Sequence, residues 1–410
     1  MTARVIVTDG EERAALAACR GLSAAGYRVS AVARHRPAAT HWSRSCKERF
    51  LLPDPRESVH EFVAGLEQLL LQGDYAALIP GSDASLLAIS ENRDRLGKLT
   101  HLGLPPREAV RRSVDKLLLH RLAAAAGLPP PPSRSCAGHP EGHAAAAELG
   151  YPVVVKPERS FSRAGDRLRQ QGVTLVENEA ALPGALRAYA SPFIVQRFEH
   201  GRFLSCTGVV AGGRLLALTA SSVPRLWPPI AGMHTFSETV EVPPGLADRV
   251  RSLLGKVGWQ GIFQFQMLER PDGGFAVIDL NARVFASMAL DHHAGANLAA
   301  IWCDWLLGRR PVPVTASPGF RYRWEEGEAC HLVWQLRRGR VRAAAAVLLP
   351  HRRVVHAWFR VTDPGPLLAR AVQLGLKPLR NKLRRDAPPA ERKQLVGATA
   401  GEPEKAVGGP

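Results

Sequence analysis

The chain has 410 residues, 46% of them hydrophobic and 22% charged, with a formal charge of +17, a composition that fits two or three globular domains. No apolar run reaches the roughly eighteen residues of a membrane helix, and the start, a short apolar stretch followed by acids, does not read as a leader. In chain order, strands are predicted over 5–7, 28–33 and 76–80, with helices over 11–25 and 57–72 between them. Gly26 closes the first helix, and Asp83 caps another that runs to residue 95. This βαβ rhythm predicts a parallel, doubly wound sheet. TDGEER, not GxGxxG, follows the first strand, which argues against a dinucleotide site. A helix over 114–126 ends at Gly127 and the proline run 129–132. Next come a helix over 139–149, a strand over 152–156, a loop, a strand over 173–176, a helix over 180–189 and a strand over 193–197. Two strands turn at Gly212-Gly213. After a further helix, a hairpin over 261–283 turns at Asp272-Gly273, a two-residue turn signal, and a helix over 297–307 follows. From Pro311 the chain reads as an appended module of basic helices with one strand pair. From about residue 385 its composition is that of a disordered end.

Several constellations carry chemistry. Asp279, Asn281 and Arg283 recur at period two, so a strand would place them on one face. A carboxylate, an amide oxygen and a guanidinium there suit a metal-bound polyphosphate; an ordinary hairpin with a polar outer face has the same pattern. Lys156 ends an apolar strand, where a lysine is either a phosphate ligand or a snorkelling surface cation. Lys116 follows Asp115 at a helix start, a position that disfavours a cation unless an anion binds beside it. The strand that ends at Gln196 can offer its backbone edge to a purine, with the Gln196 amide facing an exocyclic amine. His292 and His293 follow Asp291 as a candidate general base or as structural histidines at a helix end. Cys19, Cys46, Cys136, Cys206, Cys303 and Cys330 are scattered without metal spacing and read as reduced thiols in a cytoplasmic protein. The basic residues crowd between 337 and 385. They form either a solvated face or a surface for an anionic polymer or membrane headgroups; no nucleic-acid-binding spacing accompanies them.

Taken in order, DKxxxxxxxxxxGLPxP from Asp115, PVVVKP, VQRFEHG, and GIFQFQML…FAVIDLNAR followed by AGANL resemble the ATP-grasp superfamily. The likeness is greatest to its carboxylate–amine ligase branch, similar to the large-chain domains of carbamoyl-phosphate synthase. The resemblance spans residues 115–307. It implies an α/β and α+β fold: a doubly wound pre-ATP-grasp domain over 1–112 and a two-lobed ATP-grasp domain over 113–310 (small lobe about 113–195, large lobe about 196–310). A basic C-terminal extension over 311–384 and a tail over 385–410 complete it.

The resemblance also implies roles. Lys116 and Lys156 would contact ATP phosphates. Gln196, Arg197, Phe198 and Glu199 would form the hinge that clamps adenine. Asp279 and Asn281 would ligate Mg²⁺, with Gln266 facing them where the family usually carries a glutamate. Arg283 would bind the γ-phosphate or an acyl phosphate, and Arg225 a substrate or phosphate. The implied activity is ATP-dependent joining of a small-molecule carboxylate to an amine through an acyl phosphate, with release of ADP and phosphate. Gln266 and the shorter Asp279 keep a second reading open, a catalytically impaired nucleotide-binding protein, unless Glu238, Glu241 or Glu269 substitutes. The loop over 158–172 carries arginines where small residues usually let amides approach phosphate.

Overall fold

The computed structural model describes residues 2–159, 161–229 and 232–386. The N-terminal part is a five-stranded parallel sheet in the order Cys46–Leu51, Arg28–Ala33, Arg4–Val7, Ala77–Ile79, His101–Leu102. Its central strands are apolar because helices cover both faces: Ile6 packs toward the Val59–Gln72 helix, and Val5 and Val7 toward Arg13–Ala24. The order reverses between Arg4–Val7 and Ala77–Ile79, so the loops after these two strands flank the topological switch point, where ligands of such sheets bind. The edge strand Cys46–Leu51 escapes a pattern reading because CKERFL runs three charged residues together, Lys47, Glu48 and Arg49, and so lacks the apolar alternation of a strand.

Two helix boundaries differ from expectation. Ser82, not Asp83, caps the Asp83–Glu91 helix, accepting from the Ser85 N–H at 3.2 Å. The Asp83 carboxylate is thereby left to reach across to another part of the molecule. The helix expected over 114–126 is two, Arg107–Val114 and Lys116–Ala124, broken at Asp115, which caps the second through the Leu118 N–H at 3.0 Å.

A small antiparallel sheet follows, in the order Thr174–Val176, Val153–Pro157, Phe193–Arg197, Ser133–Cys136. The His139–Leu149 helix packs beneath it around Phe193 and Val155. The arginine-bearing loop is itself a hairpin, Phe161–Ala164 with Arg167–Gln170, turning at Gly165 (φ +63°).

The large lobe is an antiparallel sheet running Phe275–Asn281, Gly261–Glu269, Arg202–Ala211, Arg214–Trp227, Met233–Val240. The expected turn at Asp272-Gly273 is a three-residue loop, 271–273. Gly273 is at φ +80°, and the Arg270 N–H closes on the Gly274 carbonyl at 2.8 Å. A bulge at Ile278 shifts the register, so that Asp279 opposes Gln266 and Asn281 opposes Gln264. Rows of directly paired polar residues therefore cross one face: Asp279, Gln266, Ser205, Ser221, Thr239, and Asn281, Gln264, Thr207, Thr219. The intervening residues, among them Phe265 and Met267, bury themselves against the Leu246–Val257 helix.

The segment from Pro311 is woven into this sheet. Arg321–Arg323 extends it beside Met233–Val240, and Val354–His356 extends it again. The helices Glu325–Arg337, Val341–Leu348 and Gly365–Asp386 complete the described chain. Asp363 binds Arg20 of the N-terminal helix at 3.0 Å, with both side chains buried. The expected disordered tail lies, from residue 387, outside the described residues.

Candidate active site

The centre of the site is a group of nitrogens that folding has enclosed. Lys156 stands on the central strand Val153–Pro157 and is 3% exposed. Its ammonium donates to Gln196 Oε1 at 3.0 Å, and the Gln196 amide donates in turn to the Pro131 carbonyl at 3.3 Å. Burial, then the charge of Lys116, lowers the Lys156 ammonium to about 7, with Asp279 pulling the other way. Lys116 is buried at the first position of its helix, and its N–H is tied to the Glu158 carbonyl at 3.1 Å. One turn later on the same face, His120 is pushed down to about 3 by burial and both lysines. Its Nε2 is buried without a hydrogen-bond partner. Burying cations side by side is costly unless something anionic joins them.

Beside this cluster lies a cavity of about 400 Å³ whose lining includes Asp83, Lys116, Arg159, Arg163, Asp279 and Asn281. The hairpin Phe161–Ala164/Arg167–Gln170 walls it and is fastened to the N-terminal domain at two places. Asp166 accepts from Ser58 Oγ at 2.6 Å and from the His60 N–H at 3.0 Å, at the start of the Val59–Gln72 helix, and Arg163 pairs with Glu91.

Asp279, Asn281 and Gln266, the expected metal ligands, share the polar sheet face. Asn281 donates its amide to Gln264 Oε1 at 3.0 Å, which turns Asn281 Oδ1 outward. Gln264 is oriented by Ser205 Oγ (3.2 Å) and Ser287 Oγ (3.4 Å). Asp279 thus stands among amides as the one carboxylate of the pair of rows. Among the described residues no cluster of three His, Cys, Asp or Glu could hold a metal. None of Glu238, Glu241 and Glu269 lines the cavity, and Arg321 and Arg202 hold the first and the last. One carboxylate with outward amide oxygens fits a Mg²⁺ that arrives on nucleotide phosphates, keeping its remaining ligands from phosphate and water; it does not fit an all-protein cage.

Other expected residues fall differently. Arg283 lies just past the strand end, not on the strand with Asp279 and Asn281. Its guanidinium bridges to Asp83 of the N-terminal domain at 2.9 Å and to the Val284 carbonyl at 3.0 Å. Burial works against its charge, but Asp83, Glu12 and Asp9 outweigh it and raise the pKa. Arg225 is not brought to the cavity: its fork is bidentate on Glu328 (2.9 and 2.6 Å) and stacked over Phe236, which makes it a structural pair. The Gln196 amide is taken by Lys156 and Pro131, so it does not face an adenine amine. Arg197 Nε donates to the Leu149 carbonyl at 3.0 Å, Phe198 packs edge-on against His200, and Glu199 pairs with Arg270 at 2.9 Å. The last contact ties the expected hinge to the metal hairpin. His292 and His293 lie off the cavity lining, and burial and Arg360 lower both. The neighbouring Asp291 is instead the buried group, pushed up to about 7 by burial against a hydrogen bond from Thr207.

Sequence reasoning missed His120, Gln264 and Asp83 as site residues. His120 had a signal, its four-residue spacing from Lys116; Asp83 had none, because its partner lies 200 positions away.

No family model matches the chain. Over 211 residues, 47% of its length, it is 28% identical to the mitochondrial arginine-specific carbamoyl phosphate synthase large chain of Neurospora crassa, spanning only 17% of that relative. A biotin carboxylase from Campylobacter jejuni, solved as a beta-gamma-ATP complex, superimposes with a TM-score of 0.60 at 17% identity, covering 77% of this chain and 74% of that one. An L-amino acid ligase from Bacillus licheniformis does so at 0.57 and 14%, covering 74% of each. Along some three quarters of its length the chain thus shares the fold of these two proteins.

Proposed function

We propose that the protein is an ATP-dependent ligase that joins a carboxylate to an amine. The observation that carries this reading is the buried pair Lys116 and Lys156 at a cavity that Arg159 and Arg163 also line, with Asp279 on its wall: nitrogens gathered in this way suit a nucleotide polyphosphate. The similarity to a protein solved with a beta-gamma-ATP ligand and to an L-amino acid ligase supports it. Asp279, Asn281 and Gln266 would hold a Mg²⁺ that supplies charge neutralisation at the phosphates.

In this reading Lys116 and Lys156 fix the phosphates, and the hairpin over 161–170 excludes water. The substrate carboxylate occupies the cavity near Arg159 and Arg163. Its oxygen attacks the γ-phosphorus, the bond to the β-phosphate oxygen breaks, and ADP leaves. The amine nitrogen then attacks the acyl carbon, phosphate departs with the C–O bonding pair, and the amine loses a proton. Positioning and charge neutralisation suffice, so no protein nucleophile is required. Release of ADP, followed over a panel of carboxylates with amines, tests this: release should need both partners, and Asp279→Asn should remove most of it.

The opposition of Gln266 to Asp279 favours a second reading, a nucleotide-binding protein without turnover. Under it the wild-type chain binds MgATP but releases no ADP with any pair, and Gln266→Glu gains turnover.

A further inference from the structure

The charge of this protein is concentrated in one segment. Residues 325–386 have thirteen Lys and Arg against five acids, a net +8 of the chain's +17, and three of the acids, Glu325, Glu326 and Glu328, sit in the first turn of the Glu325–Arg337 helix. Asp363 is buried against Arg20 and offsets nothing at the surface. Among the described residues the same segment holds much of the exposed apolar surface, and the first of its helices is inverted. In Glu325–Arg337 the buried positions include Glu328, His331 and Gln335, while Ala329, Cys330, Val333, Leu336 and Arg337 face out at helical spacing. In Val341–Leu348 the outward stripe is Val341, Arg342, Ala345 and Leu348, with Val341 66% and Leu348 67% exposed. At the start of Gly365–Asp386 it is Leu368, Ala371, Val372 and Gly375. Arg370 ties this helix to Glu326 of the first, so the three belong to one module. The second and third helices also bury apolar residues (Ala344, Val347 and Ala369), yet all three turn aliphatic side chains outward as well, with Arg337 and Arg342 exposed beside them.

We propose that the helices 325–337, 341–348 and 365–386 form a docking face for an anionic membrane surface, into whose headgroup boundary the aliphatic stripes insert. Charge selects the occupant. A second copy of the chain in a two-fold arrangement would set this basic face against itself. A nucleic acid would engage the arginines but gain nothing from Val333, Val341 and Leu348. Anionic lipid satisfies both, because headgroup phosphates meet the arginines and acyl chains meet the stripes. No described helix is long and apolar enough to cross a membrane, so the contact is peripheral.

Flotation of the full chain with vesicles of phosphatidylcholine alone, or with added phosphatidylglycerol, tests this. Binding is expected to the phosphatidylglycerol vesicles, at least about tenfold stronger than to phosphatidylcholine, and weakened by salt. Leu348→Asp and, separately, the pair Arg337→Gln with Arg342→Gln should each reduce it about tenfold. Both variants alter exposed positions outside the cavity lining and should leave MgATP affinity unchanged, which verifies that they fold. Absence of flotation, equal binding to both vesicles, or binding untouched by Leu348→Asp would overturn the proposal. So would a dimer in solution that Leu348→Asp dissociates.

Discussion

Lys156 is held where an ammonium is poorly solvated, and its properties follow from that. Its pKa in the folded chain is about 7, against an ordinary value near 10.5. Between those values the unfolded state binds more protons, so this residue's contribution to stability improves as pH rises from 7 and is least favourable below it. Replacing it should relieve strain: Lys156→Met is expected to leave the thermal midpoint of the ligand-free protein unchanged or higher at pH 6, while MgATP affinity falls at least about a hundredfold. Differential scanning fluorimetry with and without nucleotide checks both. A lysine that merely braced Gln196 would lower the midpoint and leave binding alone. Gln264 was legible as a polar residue on a strand but not as the group that turns Asn281 outward, because the Ile278 bulge sets which residues oppose each other, and bulges leave no period in a sequence.

At the scale of elements, the hairpin over 161–170 decides access to the cavity. Asp166 fastens it by capping a helix in another domain, a contact across more than a hundred residues. Asp166→Ala should raise the KM for ATP several-fold with a smaller effect on kcat, read from initial rates, or from a weaker Kd where turnover is absent. An equal loss in kcat alone would place Asp166 elsewhere in the reaction. The parallel strands and the lysine-bearing elements were readable because apolar runs, prolines and caps are local signals. Ser82 replaced Asp83 as a cap, and Asp115 split one expected helix, because neighbouring capping residues compete within a residue or two. Arg225 illustrates the opposite limit: nothing near it in sequence announces Glu328, and a fork held bidentately by a buried carboxylate is not available to a substrate.

For the whole molecule, the segment after Pro311 acts as a clasp. It lengthens the large-lobe sheet and returns to the N-terminal domain, where Asp363 takes Arg20, Ser43 Oγ (2.7 Å) and the Arg44 N–H (2.9 Å). Its sequence reads as an appendage because its strands are only two or three residues long and its first helix buries polar residues, Glu328, His331 and Gln335. Arg20→Ala should leave Asp363 buried without its cation and cost about 3–5 kcal/mol in chemical denaturation. A loss below about 1 kcal/mol would mean that the clasp carries little of the stability. The central claim, a nucleotide phosphate site built from Lys116 and Lys156, is tested most directly by calorimetric titration with MgATP at pH 7 and pH 9 in two buffers of different ionisation enthalpy. Binding with proton uptake, weaker at pH 9 and lost in Lys156→Ala, is the predicted result. Affinity that ignores both pH and that substitution, or no binding at all, would contradict it.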